Sequence, residues 1–267
     1  MIKEDLVWYV GYGSNVLENR FLCYITGGTP EGSQRVYEGC RDKSLPQLVK
    51  PIAINYELYF SKNSSVWQNG GVAFIRNEYD REAVTYARMF LISKEQLSDI
   101  AKQETSSNYT IDINFDEAIE KGSTVFKALP SWYGKILLLG YQDDLPIFTL
   151  TSEIDLEKFI KPSSEYLKTI SMGLRETYNF TTIEITDYFQ NKKGVLENYK
   201  IYELYDLVEN RKTIFDKQVL EMVDILAREY AELPEGEERK LKMTEIEKLM
   251  RRYYGEISIN NSDENII

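Results

Sequence analysis

The sequence predicts an α+β fold with a helical C-terminal extension. Three observations point that way. Short apolar runs bounded by turn residues cluster between residues 6 and 151. Helical spacings of apolar residues sit between and after them. Twenty tyrosines among 267 residues supply the half-polar rings that suit β-rich packing. The length exceeds one average domain and falls short of two, so one compact domain with a helical extension is the economical reading, with expected bounds of 1–190 for the domain and 191–267 for an acidic extension.

Residues 6–11, LVWYVG, read as a buried strand, and Tyr12-Gly13-Ser14-Asn15 as the turn that follows. Asn15 could cap a helix over 16–25. The Gly-, Pro- and Ser-rich stretch from 27 to 51 reads as a long loop, a length that is often functional. Strands are expected at 53–60, 71–76 and 83–92. Ser93-Lys94-Glu95-Gln96 fits a capping box that starts a helix to Glu104. Further strands follow at 123–129, 134–141 and 146–151, with Asp143-Asp144 at a hairpin turn. Helices are expected at 164–178 and 182–190. The apolar positions Phe215, Val219, Met222, Leu226 and Tyr230 mark another over 213–231. Thr244-Glu245-Ile246-Glu247 fits a second capping box, opening a helix to 254. The terminal NNSDENII carries no structural signal.

Composition narrows the chemistry. Lys and Arg number 32 and Asp and Glu 43, a net charge of −11. Such a chain repels phosphate backbones, so no nucleic-acid partner is expected. Two cysteines, Cys23 and Cys40, make no disulfide framework. No apolar run approaches the ~18–20 residues of a membrane span, and the opening Met1-Ile2-Lys3-Glu4-Asp5 is not a signal peptide. The expectation is a cytoplasmic protein without a membrane partner, with self-association into a homo-oligomer left open. Histidine is absent altogether. That removes Ser-His-Asp and Cys-His catalysis and imidazole metal ligands. Neither a metal nor a cofactor is expected, and proton transfer falls to Asp, Glu, Lys, Tyr or Cys.

The Gly11-Tyr12-Gly13-Ser14-Asn15 turn admits several readings. A dinucleotide fingerprint needs a third glycine where Val16 stands. A nucleophile elbow through Ser14 lacks the G-x-S-x-G pattern and a histidine to activate it. An anion-holding loop fits better, because glycines allow close backbone approach and helix-start amides favour negative charge. Taken alone, the turn could equally be ligand-free.

Leu97, Ile100, Ala101 and Glu104 share one face of the predicted helix over 93–104. The apolar members draw that face inward and Glu104 with it. Burial raises a carboxyl's pKa, which would suit Glu104 to act as a base near neutral pH. The competing reading has Glu104 reaching past the core edge into water.

Taken together, Tyr12-Gly13-Ser14-Asn15 after the first strand, Gly70-Gly71-Val72-Ala73 in a central strand, the helix ending Gln103-Glu104, and the segment from Ser164 through Tyr166 to Gly173 resemble the γ-glutamylcyclotransferase superfamily over about residues 6–190. The resemblance implies a small mixed β-barrel flanked by helices. It implies a γ-glutamyl substrate held by Tyr12, Gly13, Ser14 and Asn15, Glu104 as the general acid/base, and Tyr166 as a pocket residue. Tyr166 also lies on its helix's apolar face with Ile170, Gly173 and Leu174, where packing alone would explain it. Val16 replaces a larger aliphatic residue of the family, Thr105 stands where glycine is more usual, and Phe148 falls where some members carry a tyrosine.

The implied reaction needs no metal and no nucleophilic side chain: the substrate's α-amine closes on its own γ-carbonyl and releases 5-oxoproline and a free amine. The alternative is a non-catalytic ligand-binding or protein-interaction module on the same fold, with the C-terminal helices docking on the core or on a partner. Arg41, in the long loop, could meet a substrate carboxylate or remain exposed or linked to Asp42.

Overall fold

Leu6–Gly11 (β1) is buried at every position in the computed structural model, which describes residues 5–31, 33–126, 132–209, 217–234 and 236–249. A strand buried on both faces reads as a continuous apolar run, and β1 is central. It pairs antiparallel with Thr85–Ser93 (β5), from Leu6↔Ser93 to Gly11↔Arg88, and parallel with Leu145–Thr151 (β8) at Trp8↔Ile147 and Tyr9↔Phe148. Val49–Ile54 (β2) flanks β5. Lys135–Gln142 (β7) and Ser123–Val125 (β6) extend the other side, giving the order β2-β5-β1-β8-β7-β6. Leu58–Ser64 (β3) and Gly70–Ile75 (β4) form a separate antiparallel pair.

The α+β class is as expected. The barrel implied by resemblance is an open arrangement among the described residues, because the six-stranded sheet ends on β2 and β6. The single strand expected over 53–60 is two strands, broken at Asn55–Glu57, so that β2 joins the large sheet and β3 the small one. Asp143 and Asp144 make the hairpin turn with φ of 54° and 64°, the left-handed values that a two-residue hairpin requires and Asp tolerates. The expected strand tail over 127–129 lies outside the described residues.

Two helices matter for the site. Lys94–Glu104 (α2) opens with the capping box: Gln96 N donates to Ser93 Oγ at 3.1 Å and Ser93 N to Gln96 Oε1 at 3.0 Å. Its Leu97, Ile100 and Ala101 are buried in one core with Val7, Tyr9, Phe21 and Phe90. Ser164–Tyr178 (α4) starts on Ser163, whose Oγ accepts from Tyr166 N at 3.2 Å, and buries Tyr166, Leu167, Ile170, Gly173 and Leu174. Two further helices in this part of the chain are Glu18–Thr26 (α1) and Phe115–Lys121 (α3). The helix expected at Val16 starts later. Residues Gly13–Val16 form a 3₁₀ turn, and α1 follows with Leu17 at its cap and no side-chain cap bond. Asn15 is not a cap.

The long loop is tied down by the polar side of α2. Gln96 Nε2 donates to the carbonyls of Asp42 and Ser44 at 3.1 and 2.8 Å. Gln103 Oε1 accepts from Gly39 N at 3.3 Å. Asp99 takes Arg41, whose Nε donates to Oδ1 at 3.0 Å, and Glu95 lies 3.2 Å from the same guanidinium.

The chain separates into two compact units, Met1–Asn179 and Phe180–Ile267. The division falls before the 190/191 boundary expected from the sequence. The second unit holds Thr182–Gln190 (α5), Ile201–Glu209 (α6), Lys217–Glu232 (α7) and a helix over 237–249 (α8). Its core gathers Ile201, Tyr205, Val223, Tyr230, Met243 and Ile246. Two expectations change here. Met222 is exposed and Val223 is buried in its place, because the stripe through Leu226 and Tyr230 turns one position. Thr244 opens no helix: it lies inside α8, its Oγ1 donating to Lys240 O at 2.9 Å, the back-bond of a mid-helix threonine. The expected positions Phe215 and 250–254 lie outside the described residues, and nothing is described of the Val219 side chain. Among the described residues no helix is long and apolar enough to cross a membrane.

Candidate functional site

The end of β1, the 3₁₀ turn, the β3–β4 connection, the last turn of α2 and the start of α4 surround one cavity of about 450 Å³. Tyr12, Ser14, Asn15, Glu104 and Tyr166 all line it. Gly13 lies beneath them at φ +64°, where a Cβ would come within 2.8 Å of both the Tyr166 hydroxyl and Ala73 Cβ. Glycine is therefore required at this position on two counts, the left-handed backbone and the close approach.

Each residue's partner shapes what it can do. Asn15 Nδ2 donates to Glu104 Oε1 at 2.9 Å across 89 residues of sequence, and its buried Oδ1 has no partner among the described residues. Glu104 is half-buried. Because α2 ends on it, the carboxylate emerges where the core gives way to the cavity instead of lying within the core. Tyr12 Oη donates to Leu150 O at 2.7 Å, which commits its hydroxyl to the fold and leaves its ring as wall. Tyr166 Oη accepts from Ala73 N at 3.1 Å, and its ring lies 4.7 Å from that of Trp67. Tyr166 is thus at once a packed residue of α4 and a wall of the cavity.

Several residues at the site were not singled out from sequence. Tyr9, Tyr24, Trp67, Trp132 and Tyr133 add aromatic wall, and Arg20 and Arg35 add charge. Arg20 is 6% exposed. Its Nη2 donates to Tyr37 Oη at 3.1 Å, and its guanidinium lies 4.8 Å from the centre of the Trp67 ring. A basic residue beside Phe21 and four positions before Tyr24, on the buried side of α1, was the signal available in the sequence. Arg35 Nη2 donates to Gln103 O at 2.6 Å and lies over Tyr37 at 4.8 Å. Arg41 is not at the cavity. Phe148 is fully buried in the core and does not line it either.

The phenols are held neutral. Burial is the main cause that pushes the Tyr9 hydroxyl far above the usual phenol range, and the Glu104 charge adds to it, while the Asn15 side chain opposes. Tyr24 and Tyr133 are raised the same way, burial first. Tyr166 is raised by burial against the opposing effect of Ala73 N–H and Arg20. At neutral pH these hydroxyls can give or accept hydrogen bonds but cannot serve as bases. Among the described lining residues Glu104 is the one carboxylate. No group of three or more His, Cys, Asp or Glu side chains placed to hold a metal ion occurs among the described residues.

No protein-family profile matches the sequence. Histone deacetylase 5 of Arabidopsis thaliana is 37% identical over 191 residues, a match that covers 66% of this chain and 29% of that protein. The chain thus spans less than a third of the curated relative it matches. Among solved structures, a γ-glutamyl cyclotransferase is similar over 77% of this chain and 99% of its own, at 14% identity and a TM-score of 0.40. An uncharacterized protein from Homo sapiens is similar over the same shares, at 16% identity and a TM-score of 0.40.

Proposed function

We propose that the chain is a γ-glutamylcyclotransferase-like enzyme that cyclises a γ-glutamyl amine or peptide to 5-oxoproline and releases the free amine. One observation carries the reading: the amide of Asn15, in the Tyr12–Asn15 turn, holds the one carboxylate among the described residues that line a polar and aromatic cavity. The substrate's α-amine attacks its own γ-carbonyl carbon, forming the ring C–N bond. Glu104 takes the proton that the amine gives up, then returns it to the leaving nitrogen as the original amide C–N bond breaks. No water is consumed and no electrons are exchanged. The step is intramolecular, so correct folding of the substrate chain supplies most of the acceleration, with effective molarities of about 10⁵ M or more in well-oriented cases. A wall of neutral phenols and indoles suits that task, since it shapes the ligand without competing for the proton.

The test is incubation of the protein with γ-glutamyl amines, γ-glutamyl dipeptides and glutathione, with 5-oxoproline as the readout. Glu104→Gln is expected to lower its formation by at least ~10²-fold while the melting temperature stays put. Full activity in that variant would sink the assignment of Glu104.

A second reading is a non-catalytic module that binds a ligand or a protein. The partial match to a much longer histone deacetylase favours it, because a segment joined to another activity can serve recognition alone. Saturable ligand binding without 5-oxoproline would select it. Acetate release from an acetylated histone peptide would instead indicate the activity named for that relative.

A further inference from the structure

We propose that Arg20 is the receptor for the α-carboxylate of the ligand, and that it fixes the ligand's α-amine toward Glu104. The proposal deepens the cyclotransferase reading, and rests on it for which carboxylate is bound.

Two other enclosed arginines of this protein are paired with carboxylates. Arg88, 4% exposed, has Glu18 and Glu176 at 2.7 and 2.8 Å, and Thr177 Oγ1 accepts from its Nε at 2.8 Å. Arg76, with its side chain 15% exposed, has Glu57 and Glu157 at 3.3 and 2.7 Å. Arg20 is as enclosed as Arg88, yet no carboxylate lies within ion-pair distance of it among the described residues. Its polar contact is one phenol, Tyr37, and its Nε is buried without a hydrogen-bond partner. An enclosed charge without a counter-ion is costly. Here the unmet donor belongs to a side chain that lines the cavity.

The surroundings define what would meet it. The guanidinium lies over the Trp67 ring and Tyr37 holds one nitrogen, which positions the fork for a planar, two-oxygen acceptor. The described cavity wall carries Arg20 and Arg35 against the single Glu104, a local excess of positive charge in a chain of net charge −11. Glu104 is already engaged by Asn15 and cannot neutralise both. An α-amino acid headgroup satisfies the arrangement, with its carboxylate on Arg20 and its amine on the Glu104 side. It also gives the cyclisation its alignment, since the amine that must lose a proton is then beside the group that takes it.

The experiment is calorimetric titration of the full chain with 5-oxoproline, with 5-oxoprolinamide, which differs only in the carboxylate, and with glutarate. Wild-type protein is expected to bind 5-oxoproline at least ~10-fold more tightly than the amide, the range of a charge-assisted hydrogen bond. Arg20→Met should erase that difference, and Arg20→Lys should keep part of it. Equal affinity for acid and amide in the wild type, no binding of either acid, or a folded Arg20→Met that keeps the preference each overturns the proposal. Should Arg20→Met fail to fold, the acid–amide comparison in the wild type and in Arg20→Lys still decides. The two readings fail separately. An Arg20-dependent carboxylate preference without 5-oxoproline formation removes the cyclotransferase and keeps the receptor. Turnover of γ-glutamyl substrates and of their α-carboxamides at equal KM does the reverse.

Discussion

Asn15 does a different job from the one its position in the turn suggests. At the start of a helix an asparagine usually caps, but here the 3₁₀ turn displaces the helix by two residues and frees the side chain to reach Glu104. It is a positioning residue for the proposed base. Asn15→Ala is therefore expected to reduce kcat by roughly 10-fold with a much smaller change in KM, as steady-state kinetics would show; a purely structural asparagine would lower the melting temperature instead. Legibility at this scale is uneven. Tyr12, Gly13, Ser14 and Asn15 stand in one short motif and Glu104 on one helix face, so a short segment carries each signal; Tyr166 is a candidate through the family resemblance. Arg20 and Tyr9 were not singled out, because their place at the cavity depends on what α1 and β1 face: the position of Arg20 beside Phe21 and four residues before Tyr24 marks its burial but not what it meets there.

At the scale of elements, α4 is placed by its lack of a side chain. A Cβ on Gly173 would sit 2.5 Å from Leu17 N and 2.7 Å from Val16 C, so helix and turn meet backbone to backbone. Gly173→Ala would have to push them apart, and Tyr166 rides on the same helix. We expect it to destabilise the first unit by ~1–3 kcal/mol and to weaken ligand binding, measured by thermal melts and titration of the same preparation. The long loop shows why an element can be invisible in sequence yet well placed. Its last residues, Val49–Pro51, belong to β2; among the described residues before them it forms an isolated bridge, Gly28↔Tyr37, and Gln96, Asp99 and Gln103 recur along one side of α2 and hold it. Glutamine and aspartate at such positions look like ordinary solvated surface. The central strands of the large sheet were readable because β1 and β5 are apolar nearly throughout, whereas half of β2 falls in the expected loop 27–51. The division of 53–60 between two sheets was not, since a break at Asn55–Glu57 changes a strand's partner without changing its composition.

For the whole molecule, burial of ionisable groups sets a limit on the alkaline side. Cys40, buried in the first unit's core, has its thiol pushed up from 9.0 to about 12, by burial first and by Asp99 and Asp42 next. Tyr12, Tyr24 and Tyr133 are also raised above their ordinary 10.0, chiefly by burial. The folded chain keeps these protons where the unfolded chain has lost them. The native state thus binds more protons above pH 9, and stability must fall as pH rises. For Cys40 the loss begins near the unfolded value of 9.0 and runs to about 12. Denaturant titrations between about pH 8 and about pH 11 should show the midpoint moving steadily down. A midpoint that is flat or rising over that range would contradict the assignment. Each of the two units has a hydrophobic core of its own, and the cavity and these groups belong to the first.

The parallel pairing of β1 with β8 has a consequence for time. Trp8 and Tyr9 wait for Ile147 and Phe148, and Gly13 waits for Tyr166. The turn is made well before Tyr166 joins it, so the cavity is incomplete until α4 has emerged. Ligand binding is then a late clock of folding: helical signal should return first on refolding, and capture of ligand last.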